Sequence, residues 1–140
     1  MDIVKQRPSL TDDAVFAMIS AAREAASQMG QPQCIVIVDQ SGVTLAAFRM
    51  EDAKFLSLKS ATAKARTAAS IGKPSSDVPE AVRPAIAAAT GGAITGLAGG
   101  LPIRVAGFLV GGIGIGSGTG AQDVAVALAA LSAIGAEIEA

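Results

Sequence analysis

The stretch best suited to chemistry in this chain is Leu109–Asp123, LVGGIGIGSGTGAQD. Six glycines lie between Gly111 and Gly120, and Thr119, Gln122 and Asp123 then lead into an apolar helical pattern. A strand passing through glycines into a helix start leaves backbone amides free for an anion or a polar group. Asp123 sits where it could move a proton or satisfy that dipole itself. Glu51, beyond Arg49-Met50, is a second acid that could act as a base beside a glycine-rich pocket. Lys64 and Arg66 are cations on one helix, and Arg49 and Arg104 each end a strand; any of them could face an acidic ligand.

Other residue types are excluded by count. Among 140 residues there is no histidine, so no imidazole can serve as general base, zinc ligand or haem ligand. Cys34 is the single cysteine, which rules out an internal disulfide and a cysteine metal cage; ahead of the apolar run Ile35–Val38 it reads as a small buried residue. No metal site is expected. Four phenylalanines are the only aromatics and the net charge is −1, so neither stacking platforms nor a basic footprint for nucleic acid or an anionic membrane are present. Residues 1–10 carry charges at Asp2, Lys5 and Arg7 and no apolar core of a signal peptide. The uncharged stretch between Arg83 and Arg104 is mostly Ala, Gly and Thr, too weakly apolar and too broken by glycine for a membrane helix. A soluble, cytoplasmic protein is the expectation.

These residues need elements to position them. Apolar spacing predicts a first helix over Thr11–Met29, capped at Ser9 or Thr11 and stopped at Gly30. Ile35–Val38, a turn at Asp39-Gln40-Ser41-Gly42, and Val43–Arg49 read as an antiparallel hairpin. A second helix runs from Phe55 to Ile71, with Ser60, Ala63 and Thr67 forming a small-residue face suited to packing on something else. A proline-rich loop follows, then a short helical turn at Ala85–Ala89 and strands at Ala93–Ala98, from Pro102 to Val105, and at Phe108–Ile115. Thr119 and Gln122 fit a capping box for a last helix reaching about Glu137. That helix has no charge between Asp123 and Glu137, and an all-apolar helix normally is buried all round, so a homo-oligomer is expected.

Gly116-Ser-Gly118-Thr-Gly-Ala121 formally matches the dinucleotide fingerprint. That motif needs a following strand ending in an acid, and here the next acids, Glu137 and Glu139, lie at the end of the chain. A nucleotide-binding reading fails on that count.

In order and spacing, Val36-Ile-Val-Asp39-x-x-Gly42, Phe48-Arg-Met50, Lys64-Ala-Arg-Thr-Ala68, Gly72-Lys-Pro74, Thr90-Gly-Gly92, Gly99-Gly-Leu-Pro-Ile103 and Gly112-Ile-Gly-Ile with Thr119…Gln122-Asp123 resemble the GlcG/HbpS family. That family of small haem-binding-like proteins also occurs as the C-terminal domain of PduO adenosyltransferases. The resemblance covers the chain from Leu10 to the last helix. It implies a profilin-like α/β (α+β) fold: an antiparallel five-stranded sheet with helices packed on its faces, in one domain over residues 1–140. It also implies higher oligomers, haem or corrinoid binding, redox sensing and a link to small-acid catabolism. The chain departs from the family pattern where Val-Ser-Gly-Gly-Thr becomes Ile115-Gly116-Ser117-Gly118-Thr119, and where the usual Glu is Ala121. Without a histidine, iron ligation would need Met, Lys or Cys34, so no cofactor is expected and haem is disfavoured.

Loop and family context together imply a pocket between Gly116–Gly120 and the second helix. Arg49, Lys64, Gly116, Ser117, Gly118 and Thr119 would contact a small acidic or carbonyl metabolite. Asp123, Glu51 and Lys64 would act if the protein is a metal-independent isomerase, tautomerase or hydrolase, with loop amides holding an oxyanion. The alternatives are a non-catalytic haem or corrinoid binder or sensor, and a purely structural oligomer.

Overall fold

The computed structural model describes residues 1–138; Glu139 lies outside the described residues. Helix α1 spans Asp12–Gln28, with Thr11 as its cap, and the hairpin consists of β1 (Cys34–Asp39) and β2 (Thr44–Arg49). Helix α2 runs over Leu56–Ile71 and ends at Gly72, whose φ of 67° is left-handed and favours glycine. Two single-turn 3₁₀ helices and a short α3 (Arg83–Ala89) lead to β3 (Gly100–Val105), β4 (Phe108–Gly116) and α4 (Gly120–Ala133).

The sheet has the order β2-β1-β4-β3, and every pairing is antiparallel. It contains four strands among the described residues, which corrects the expected five. Ala93–Ala98 is the missing strand. Hydroxyl groups take up its backbone instead: Ile94 N donates to Thr90 Oγ1, Thr95 N to Thr67 Oγ1, and Leu97 O accepts from Ser75 Oγ. Gly96 lies against the Arg83 guanidinium, leaving no room for a side chain. The segment therefore runs over α2 as irregular chain. It covers Thr67, which is fully buried, so the small-residue face of α2 packs on this chain's own loop.

β1 divides the core by alternation. Ile35 and Ile37 join Leu101, Ile103, Ile113 and Ile115 beneath α1 and α4. Cys34, Val36 and Val38 meet Ala61, Ala65 and Ala69 of α2 on the opposite face. α4 is shorter than expected, ending at Ala133, and only one of its sides is buried, through Val126, Ala127, Ala130 and Leu131.

Most of the glycine run belongs to β4 and not to a loop. Its glycines serve α2. A methyl on Gly112 would strike the Ala65 carbonyl, one on Gly114 the Ala61 carbonyl, and one on Gly116 would meet the Ser57 carbonyl. Three positions at the strand period of two thus match three at the helix period of four, and the helix backbone lies directly on the strand.

Candidate functional site

The site forms where β4 ends. Beyond Gly116, Ser117 takes φ of 102°, a backbone region that favours glycine. Two bonds hold it there: its Oγ accepts from Lys54 N (3.0 Å) and its carbonyl from Gln31 Nε2 (3.1 Å). Gly118 follows, packed so closely that a methyl there would fall within 2.8–2.9 Å of Asp123 Oδ1, Gln33 Nε2 and Gln122 Oε1. Thr119 then opens α4. Its hydroxyl accepts from Gln122 N (3.2 Å) while Gln122 Oε1 accepts from Thr119 N (2.9 Å), which is the reciprocal capping box.

Asp123 in the first turn is 2% exposed and is held through both oxygens. Its Oδ2 lies 2.9 Å from Lys64 Nζ; its Oδ1 accepts from Gln33 Nε2 (2.9 Å) and from Gly118 N (3.1 Å). Lys64, 5% exposed, also donates to the Ile115 carbonyl at 2.8 Å. A buried charge pair is tolerated only when such extra bonds satisfy both ions, and here they do. Gln33 is also fully buried, and its Oε1 has no partner among the described residues.

Above this network lies a pocket of about 340 Å³ lined by Lys54, Ser57, Lys64, Ser117, Gly118 and Asp123, among others. It lies between the glycine turn and the second helix. Lys64, Ser117, Gly118 and Asp123 meet there. Gly116 faces Ser57 from within the strand, and Thr119 is occupied by its cap. Arg49 donates to the Ala53 carbonyl (3.2 Å) on the outer strand, and Glu51 lines a separate depression with Arg23, Ser27, Phe48 and Met50. The structure therefore does not bring Arg49 or Glu51 to the pocket. Lys54 and Gln33 were not legible as site residues, since only the fold carries them to Ser117 and Asp123. Elsewhere, Cys34 is buried, which pushes its thiol up from the ordinary range, against a smaller lowering by the nearby Arg49 guanidinium.

A four-stranded antiparallel sheet between one helix and a helix pair, with a pocket where a glycine-bearing strand enters a capped helix, defines an α+β class built around one strand-to-helix junction. A family model described as haem degrading protein HbpS-like matches residues 10–132. The chain belongs to this HbpS-like family. It is 33% identical over 119 residues to the corrinoid adenosyltransferase PduO of Salmonella typhimurium, covering 81% of this chain and 35% of that protein. It thus spans about a third of the length of that relative. The crystal structure of a PduOC:haem complex superposes with a TM-score of 0.86 at 29% identity, covering 93% of this chain and 98% of that one. Klebsiella pneumoniae ORFY superposes with a TM-score of 0.91 at 26% identity, over 96% and 97% of the two chains. No helix among the described residues is long and apolar enough to cross a membrane, and no cluster of three His, Cys, Asp or Glu among them could hold a metal.

Proposed function

We propose that this protein is a non-catalytic small-molecule binder that handles a tetrapyrrole, either haem or a corrinoid. The observation that carries the binding reading is the engagement of Asp123 within the fold. Both of its oxygens are held inside the fold, and its only cationic partner, Lys64, is held with it. A general base needs a lone pair that reaches a substrate proton; three donors already occupy the Asp123 carboxylate, and Lys64 stands on its Oδ2 side. The ligand class is supported by the relatives' descriptions: a haem degrading family, a corrinoid adenosyltransferase and a haem complex.

The donor set does not fit an iron-ligating haem site. There is no His or Tyr; Met50 sulfur accepts from Gln33 N (3.4 Å), Cys34 is buried, and Lys64 is ion-paired. Recognition in this reading runs through the ligand's periphery, with its carboxylate or amide groups meeting Lys54 and the Ser117–Gly118 turn.

A second reading keeps a small acidic or carbonyl metabolite as ligand, acted on without metal. The pocket volume of about 340 Å³ favours it, being at the low end for small-molecule sites. Catalysis by Asp123 would then require Lys64 to be released first, with Lys64 and the Ser117–Gly118 turn as substrate contacts.

Titration with haemin and, separately, with cobalamin tests the proposal. Saturable spectral change with either, at one site per chain and weakened in Lys54→Glu, supports it. No saturable change with either, together with thermal stabilisation by small carboxylates, overturns it in favour of the second reading.

A further inference from the structure

Edge strand β3 is closed to a further strand. Gly100 N donates to Ser75 Oγ (2.9 Å), Pro102 has no N–H, and the Arg104 carbonyl accepts from Glu137 N (2.9 Å). Proline and a covering segment are standard ways to prevent an edge from pairing.

On the acceptor side the closure is incomplete. Ile115 N donates to the Gly99 carbonyl (3.0 Å), and the register carries this alternation to Leu101 with Ile113 and Ile103 with Gly111. Gly100 and Pro102 therefore turn their carbonyls away from β4. Both residues are buried, and neither carbonyl has a hydrogen-bond partner among the described residues. A buried carbonyl without a donor costs free energy, so this edge lacks two donors that water or a ligand must bring.

A cavity of about 250 Å³ opens beside that edge, between the 3₁₀ turn Ser75–Asp77, β3 and α4. Pro74, Leu101, Pro102, Leu128 and Leu131 give it apolar walls, and Leu101 and Leu131 belong to the main core. None of its lining residues borders the pocket over Lys64 and Asp123. Its volume lies below the usual range for drug-sized ligands, so it suits a short molecule.

Charge does not select that molecule. Asp77, Arg104 and Glu137 line the cavity, and Lys73, Glu80 and Arg83 stand on the adjoining segment, so three acids face three cations. Most are also engaged. Arg104 Nη2 donates to the Gly72 carbonyl (2.8 Å), Arg83 Nη2 to the Ser76 carbonyl (2.9 Å), and Glu137 Oε1 accepts from Gly107 N (2.7 Å). α4 adds no charge between Asp123 and Glu137. What the cavity offers is apolar wall and unused carbonyl oxygens.

We propose that this cavity is a second ligand site, which takes a short, uncharged apolar molecule bearing a hydroxyl. The alkyl chain lies against Leu101, Leu128 and Leu131, and the hydroxyl donates to the outward carbonyl of Pro102 or Gly100. The site is independent of the tetrapyrrole reading.

Methyl-resolved NMR on the full chain tests this, read at the leucine methyls of the cavity. The probes are hexan-1-ol and its isomer 1-methoxypentane, which have the same atoms but differ in that only the alcohol can donate. Hexan-1-ol is expected to shift these methyls saturably, with a Kd of about 1 mM. The ether is expected to bind about tenfold more weakly, since it leaves the carbonyls without a donor. Leu128→Trp, at a half-buried position on α4, fills the cavity and is expected to abolish the alcohol-dependent shifts of Leu101 and Leu131. Leu128→Phe takes its place if the larger ring prevents folding. No saturable shift with hexan-1-ol overturns the proposal. So does equal affinity for the two isomers, which needs no variant, or alcohol binding at these methyls that survives the filled cavity.

Discussion

Lys64 Nζ and Asp123 Oδ2 lie 2.9 Å apart and close the space between α2 and the first turn of α4, over the end of β4. The pair ties together elements on opposite faces of the sheet, because the lysine passes beside the strand end and donates to the Ile115 carbonyl on the way. Gly99 permits this: its φ is 122°, and a side chain there would meet Asp123 Cβ at 2.9 Å and Lys64 Nζ at 3.1 Å.

Breaking this pair from one side leaves a buried, uncompensated charge. Asp123→Asn and Lys64→Met are each expected to cost about 3–5 kcal/mol in urea unfolding. Asp123→Asn is the more severe, since Lys64 then keeps only neutral acceptors, whereas Asp123 without Lys64 keeps Gln33 and Gly118. The double variant is expected to cost less than the sum of the singles. Strict additivity would show that the two charges are not coupled.

Gly114→Ala tests the seating of α2. The added methyl meets the Ala61 carbonyl, which belongs to a helix backbone and cannot rotate aside. Destabilisation of about 1–3 kcal/mol or more is expected, read from the shift in denaturation midpoint. An unchanged midpoint would show that α2 stands off the strand. The same substitution at Gly107, where a methyl meets nothing, provides the comparison for added bulk, with strain from its φ of 82°.

Ser117→Gly separates stability from binding. Glycine relieves the positive φ, worth about 1–2 kcal/mol, and forfeits the Ser117 Oγ–Lys54 N bond, worth about 0.5–1.5 kcal/mol. Thermal stability should therefore change little. Ligand affinity should fall, because Lys54 at the pocket rim loses its anchor. A variant that is much less stable would show the turn to be unstrained.

Cys34 supplies a pH dependence with a definite sign. Its folded-state thiol is raised, chiefly by burial, so folding favours the protonated form. The associated stability is fully present below the unfolded thiol's ordinary range and is lost as pH rises through the folded value. Cys34→Ser is expected to flatten the alkaline limb of the stability profile. At neutral pH the native thiol should react with a disulfide reagent far more slowly than in denaturant; equal rates would contradict its burial.

Helix starts and stops were legible because capping chemistry is local. Thr11 and the Thr119–Gln122 box each satisfy backbone groups within a few residues and stand where the sequence put them, and the second helix ends at Ile71 as expected. The hairpin was legible for the same reason: Asp39 Oδ1 accepts from Ser41 N (2.8 Å) and Val43 N (3.0 Å) and fixes the turn. Ala93–Ala98 was misread because its apolar composition suits a strand, while the hydroxyls that bind its amides and one of its carbonyls come from Thr67, Ser75 and Thr90, up to 28 residues away in sequence.

The sequence by itself determined the helices and the four strands that form, the absence of imidazole chemistry and the strand-to-helix junction beside which the pocket lies. Those follow from residue type and from contacts within one turn. Only the tertiary structure decided what the glycines do and what the charges are free to do. Gly112, Gly114 and Gly116 are a bed for α2, since a missing side chain has meaning only when another backbone fills its place. Lys64 and Asp123, 59 positions apart, become a neutralised pair because folding removes both from water and leaves each as the other's compensation.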